Sequence, residues 1–248
     1  MVGLIYKDLC CLRKYIKMFV ILTIGTIVLS ILFVLSMKYG NAAIMIAEMS
    51  EEEFINMFQM AIWCVMILPI ASSGIIQECF KADTKANFKK CLYALPVKEE
   101  KLVGGRYLSG LVFLLLGFLG TLMVGVSIAI STDVFNLRQM LGYSVTFLAV
   151  LIIYEAFCML VLYAVDGKKA DLIQCIPFIV LVMGYMFWFI MKTADMSDEQ
   201  FTKFLKDLMD KFNDIMVNDC VWILLFALFF MGISYLGSVF IQKKRGLK

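Results

Sequence analysis

Residues 220–241 read CVWILLFALFFMGISYLGSVFI, and Gln242, Lys243, Lys244 and Arg245 follow at once. Not one of these 22 residues is charged. At a rise of about 1.5 Å per residue they form a helix of about 33 Å, enough to cross a hydrocarbon layer of roughly 30 Å. Working outward from this run, five further apolar stretches have the same character: 18–37, 55–77, 107–131, 139–165 and 172–191. The fold class expected is therefore all-α, a polytopic membrane protein of six transmembrane helices with short amphipathic interfacial helices.

The charges between the stretches set the topology. Segments 1–17, 78–106, 166–171 and 242–248 carry 4, 7, 2 and 4 basic residues, which is 17 of the 23 in the chain. The alternate segments 38–54, 132–138 and 192–219 carry 1, 1 and 4. Short loops rich in Lys and Arg stay on the cytoplasmic side, so both termini are expected there. Twelve of the 20 acidic residues fall on the outer side and seven on the inner, leaving Glu155 inside a helix.

Composition agrees. A chain that is 62% hydrophobic with a mean hydropathy of +0.89 exceeds the apolar share of soluble domains, about 45–50%. No stretch is long and polar enough for a separate soluble domain, so residues 1–248 are read as one membrane domain. The run starting at Met18 lacks a small-residue cleavage site and reads as a retained helix, not a signal peptide. Basic residues that flank helices suit anionic lipid headgroups better than nucleic acid. The eight cysteines read as small buried apolar groups, since only Cys220 approaches the outer surface. The chain has no histidine, which removes His-based metal sites and His-assisted nucleophiles. No cysteine pair has zinc spacing and no phosphate-binding Gly-x-x-x-x-Gly-Lys-Ser/Thr loop is present, so neither a metal, a catalytic set nor an ATP site of this chain is expected.

Several segments carry more detail. Residues 3–16 place Leu4, Ile5, Leu9, Leu12 and Ile16 at near-helical spacing, as for an interfacial helix at the inner headgroups. In the inner loop 78–106, Lys81, Lys85 and Lys89 recur every fourth residue, while Phe80, Phe88, Leu92 and Leu95 share another face with Thr84 between them. This predicts an amphipathic helix over 80–95, ended before Pro96. It either rests on the inner leaflet or docks a cytosolic partner. Pro69 predicts a kink or hinge, and Gly104 and Gly105 lead into the third span as a second pivot. In that span Gly117, Thr121 and Gly125 form a small-residue stripe for close helix packing.

Glu155 stands in the fourth span, where an acid costs about 2.5–3.5 kcal/mol on insertion scales and must face protein or water. It is either a group on the transport path, proton-linked or cargo-facing, or a polar contact to Tyr154, Tyr163 or a serine. On the outer side, Ser197 and Gln200 have capping-box spacing. Phe201, Phe204, Leu208 and Phe212 lie on the apolar face of the helix predicted over 197–216, which either floats on lipid or gates an exit path. Two sets of three spans, each with an amphipathic helix before its last, suit the inverted repeats of transport proteins.

Three features together resemble the permease subunit of an ABC-2-type transporter over nearly the whole chain. They are the opening MVGLIYKDL, the segment LYALPVKEEKLVGGRYL from Leu92 to Leu108, and the basic tail Lys243, Lys244 and Arg245. Within that family the overall pattern looks most like the membrane component of phenol-soluble-modulin exporters. The resemblance implies a bacterial plasma-membrane protein that is not itself an enzyme. It implies a second permease subunit, identical or related, and two copies of a cytosolic ATPase that hold ATP and Mg. It assigns 80–95 as the coupling helix, with Phe80, Lys81, Thr84, Lys85, Phe88, Lys89, Leu92 and Leu95 at the ATPase, and it implies an amphipathic peptide or other hydrophobic cargo. Two other readings compete: an ion-coupled carrier using Glu155, and a peptide-binding immunity or sensor protein.

Overall fold

The computed structural model describes residues 12–39, 98–131, 137–165, 183–193 and 197–246, together with Tyr6, Cys10, Ile70, Glu78, Phe80, Asp83, Ile179 and Val180. Among these residues all regular structure is helical. The elements are α1 (Arg13–Tyr39), α2 (Glu99–Ser131), α3 (Leu137–Ala164), α4 (Asp198–Asn218) and α5 (Cys220–Gly246), and residues 183–193 are also helical. Among the described residues, three stretches are long and apolar enough to cross a membrane: Glu99–Val126, Leu137–Ala164 and Cys220–Lys244. The span expected over 55–77, apart from Ile70, lies outside the described residues. So do Pro69 and the positions Lys81, Thr84, Lys85, Phe88, Lys89, Leu92 and Leu95.

Helix α3 is the centre of the bundle. It places Leu148, Ala149, Leu151, Ile152, Ala156, Met159 and Tyr163 in one buried cluster with Val103, Tyr107 and Leu114 of α2 and Ala227, Met231 and Val239 of α5. Ala149, Ala156 and Ala227 are wholly buried, and small residues at a helix crossing let backbones approach closely. In a lipid solvent that close packing, more than the hydrophobic effect, holds helices together. The opposite faces carry large apolar side chains outward: Leu108, Val112, Leu115 and Leu119 on α2, and Trp222, Phe226, Phe229 and Phe240 on α5. Helix α1 joins through Leu12, Ile16 and Phe19 packed around Phe113 of α2.

Contacts between helix ends sort the bundle into two levels. At one, Tyr15 donates to a Glu78 carboxylate oxygen (3.0 Å), Asp83 pairs with Arg106, and Lys243 pairs with Glu100 (2.6 Å). This level gathers the starts of α1 and α2 and the ends of α3 and α5; we call it the basic end. At the other, Arg138 donates to Asn218 (2.9 Å) and Thr146 donates to the Met216 carbonyl (2.9 Å), which brings the start of α3 to the junction of α4 and α5.

Four boundaries differ from the sequence reading. Residues 13–16, expected in a separate interfacial helix, are the first turn of α1. Leu12, buried against Phe113, fixes the chain there, so the helix enters the bundle earlier than hydropathy indicates. The span expected to begin at 107 begins at Glu99, and Gly104 and Gly105 lie inside continuous helix instead of in a connecting pivot. Glu99 and Glu100 suit the positive end of the helix dipole, and Val103 and Tyr107 are core positions flanking the glycine pair, so packing carries the helix through it. Helix α5 runs on to Gly246, with Lys243 held by Glu100. The amphipathic helix α4 runs from Asp198 to Asn218, both halves of the Ser197–Gln200 capping box formed.

Candidate functional site

The first candidate locus is the basic end. Arg106 is buried in α2, where a lone guanidinium is costly, and Asp83 neutralises it from the preceding segment. The Phe80 ring lies 4.8 Å below the guanidinium carbon, a cation–π contact, and meets Tyr163 of α3 edge-on at 5.3 Å between centroids. Residues 80 and 83 therefore grip the ends of two membrane helices together. Phe80, expected to face a cytosolic partner, instead packs against the core cluster and the pair Val161 and Leu162.

The second locus lies deeper. Tyr107 Oη is 2.7 Å from Ser234 Oγ and 2.8 Å from Ser238 Oγ, and Ser234 Oγ donates to the Ala156 carbonyl at 2.5 Å. These three hydroxyls tie α2, α3 and α5 at one level, each satisfied inside the bundle as an apolar surrounding requires. Beside them stands Glu155, 2% exposed. Neither of its carboxylate oxygens has a hydrogen-bond partner among the described residues, so the contact expected to Tyr154, Tyr163 or a serine is not made. The carboxyl occupies a notch left by Gly110 of α2. A methyl group there would collide with Oε1 and come within 3.3 Å of the carboxyl carbon and 3.6 Å of Met159 Cε.

The third locus is at the opposite end. Phe201 of α4 meets Phe189 edge-on at 6.2 Å, and Phe204 lies 6.3 Å from Trp188 and 6.4 Å from Phe189. Tyr185 stacks on Phe189 at 6.2 Å. Aromatic pairs at such distances add about 0.5–1.5 kcal/mol beyond burial. Thus the start of the α4 stripe packs on helical residues 183–193 while Leu208 is half-buried; the Phe212 side chain lies outside the described residues. The end of α4 crosses α3 at Gly142, where a Cβ would stand 2.8 Å from Val217 Cα.

Residue spacing did not single out Tyr107, Ser234, Ser238, Asp83, Arg106 or Gly110. One signal was present: Ser234 and Ser238 are one turn apart in an otherwise apolar span, which places two hydroxyls on one face. Of the expected site residues, the structure brings Phe80 to the basic end and Glu155 to the core. It sets Phe201, Phe204 and Leu208 at the opposite end, so they form three separate loci.

A family model described as ABC-2 family transporter protein matches residues 3–243. That is nearly the full chain, and the chain belongs to this family of membrane transport components. No curated protein and no solved structure matches it.

Proposed function

From this ABC-2 membership we propose that the chain is the permease subunit of an ATP-driven exporter in a bacterial plasma membrane. Six spans cross the membrane with both termini and the basic end in the cytoplasm. Two permeases, identical or related, pair with two copies of a separate ATPase that carries ATP and Mg. The segment 80–95 is the coupling element, and residues Phe88 and Leu92 supply its apolar dock. The cargo is an amphipathic peptide of the phenol-soluble-modulin type or a comparable hydrophobic compound, entering sideways from the bilayer. A bundle packed this closely around α3 favours such a route over a wide aqueous channel.

One observation carries the reading: the grip of Phe80 and Asp83 on Arg106 and Tyr163. A cytosolic segment tied by a buried ion pair to α2 and by ring contact to α3 passes displacement directly to both helices. A surface helix resting on lipid needs no such anchor. The test is co-purification with the ATPase encoded beside this chain, comparing the natural protein with a Phe88→Glu, Leu92→Glu double variant. The exporter reading expects the natural protein to retain the ATPase and the variant, still folded, to lose it. Failure of both to bind, with ATPase activity indifferent to the permease, overturns the reading.

A further inference from the structure

We propose that Glu155 and the notch at Gly110 form a binding site for an organic monocation, the positively charged end of an amphipathic cargo, taken up where α2 meets α3. This deepens the exporter reading and rests on it for the identification of the ligand as cargo.

The first ground is charge. Glu155 is almost fully buried and neither oxygen is partnered among the described residues. A buried carboxyl of this kind calls for a counter-charge or donors. The protein has none to offer at that depth: no Lys or Arg falls in 18–37, 55–77, 107–131, 139–165, 172–191 or 220–241, and the chain has no histidine. Arg106, one turn before Gly110 on α2, is paired with Asp83. A positive partner for the ionised Glu155 carboxylate would therefore come from outside these spans.

The second ground is the lining. Met159 Cε stands beside the carboxyl at Gly110, and Met159 shares one buried cluster with Tyr107, Leu114 and Ile152, so the helix interface that holds the carboxyl is built of aromatic, aliphatic and thioether groups. The nearby hydroxyls are spent on one another and on the Ala156 carbonyl. A hard metal ion requires about six oxygen ligands and would find one carboxylate here. An organic cation with an apolar body fits better, since it needs a single counter-charge, and aromatic and sulfur surfaces accept the rest.

The third ground is access. The notch at Gly110 leaves bare α2 backbone facing the carboxyl. A small separation of α2 from α3 uncovers a carboxylate with a flat backbone wall opposite, whereas a larger side chain at 110 would press on the carboxyl itself. Seating the cation reseals the interface around an ion pair in a low-dielectric setting, where the attraction is strong.

The experiment uses the full chain in lipid nanodiscs without any ATPase. Dicyclohexylcarbodiimide, an apolar carboxyl reagent, labels Glu155, and mass spectrometry reads the modified peptide. Dodecyltrimethylammonium, below its micellar concentration, is expected to lower labelling about ten-fold. Dodecanol at the same concentration and potassium chloride are expected to leave it unchanged. In parallel, Glu155→Gln is expected to weaken tetraphenylphosphonium binding about ten-fold, and Gly110→Ala, which keeps the carboxyl but sets a methyl group against it, to weaken it as well. Equal protection by dodecanol overturns the proposal in favour of a purely apolar occupant, and protection by potassium in favour of an inorganic ion. Absence of labelling under all conditions overturns it in favour of a sealed structural group. Cation protection without ATPase co-purification would leave the site standing and remove the exporter reading; co-purification without protection would do the reverse.

Discussion

Gly142→Ala tests whether α4 is seated on α3, because the crossing leaves no room for one methyl group. A Cβ at 142 would lie 2.8 Å from Val217 Cα, 3.1 Å from the Met216 carbonyl oxygen and 3.4 Å from Val217 Cβ. Two of these neighbours are backbone, so no flexible side chain can swing aside. Glycine to alanine inside a helix gains up to about 1 kcal/mol from propensity. Overpacking a close contact costs about 1–3 kcal/mol. If α4 lifts to relieve it, the Thr146 hydrogen bond to Met216 is lost, at about 1 kcal/mol. The sum is a loss of about 1–3 kcal/mol, dominated by the contact. Gly232→Ala in α5 is the control, because a Cβ there meets nothing within 4 Å, and it should gain up to about 1 kcal/mol. For a chain of this size each kcal/mol moves Tm by about 2–4 °C, so the two variants should differ by about 5 °C in detergent, read by intrinsic tryptophan fluorescence. A Gly142→Ala protein as stable as Gly232→Ala would refute the docking of α4 on α3.

Three further outcomes follow from the same contacts. Arg106→Ala strands Asp83 and should cost about 3–5 kcal/mol, read as a fall in Tm. The paired change Arg106→Met, Asp83→Leu should recover most of that stability while lowering ATP-driven transport, because shape is restored without the tether. Tyr107→Phe removes a hydroxyl bonded to Ser234 and Ser238 and should lower stability by about 0.6–1.7 kcal/mol, the range for hydrogen bonds between membrane helices. In intact cells and a cysteine-free background, Asn218→Cys should react with a membrane-impermeant maleimide and Lys244→Cys should react only after permeabilisation; the reverse pattern would invert the proposed orientation.

The three spans seen among the described residues were legible because hydropathy is local: an uncharged run such as 220–241 declares itself without knowledge of its neighbours. The capping box at Ser197 was legible for the same reason, since both partners lie within one turn. Helix starts were less so. Whether residues 13–16 lie on the membrane or enter the bundle is decided by Leu12 against Phe113, a residue about a hundred positions away. Whether Gly104 and Gly105 break the helix is decided by core contacts of Val103 and Tyr107, which outweigh the poor propensity of glycine. Glu155 stood out as a lone acid in an apolar run, but nothing in its vicinity pointed to Gly110. The hydroxyl cluster joins residues 127 and 131 positions apart, a distance over which spacing carries no information.

The two polar loci are mechanically linked, because the same helices carry both. Gly110 lies one turn beyond Arg106 on α2, about 6 Å along the axis, and Glu155 lies eight residues before Tyr163 on α3, about 12 Å. Phe80 touches Arg106 and Tyr163 together, so a displacement of the segment that carries it pulls on α2 and α3 at the same end. The crossings of α3 with α5 are the stiffer ones: wholly buried alanines bring the backbones close, and Ser234 binds the Ala156 carbonyl. Between α2 and α3 the structure sets the Glu155 carboxyl against bare glycine backbone, a contact with no hydrogen bond to break. Force applied at Phe80 is thus borne least well where the carboxyl sits. On the exporter reading, that is where α2 parts from α3, and the movement that begins at the ATPase is the one that uncovers Glu155 to its cargo.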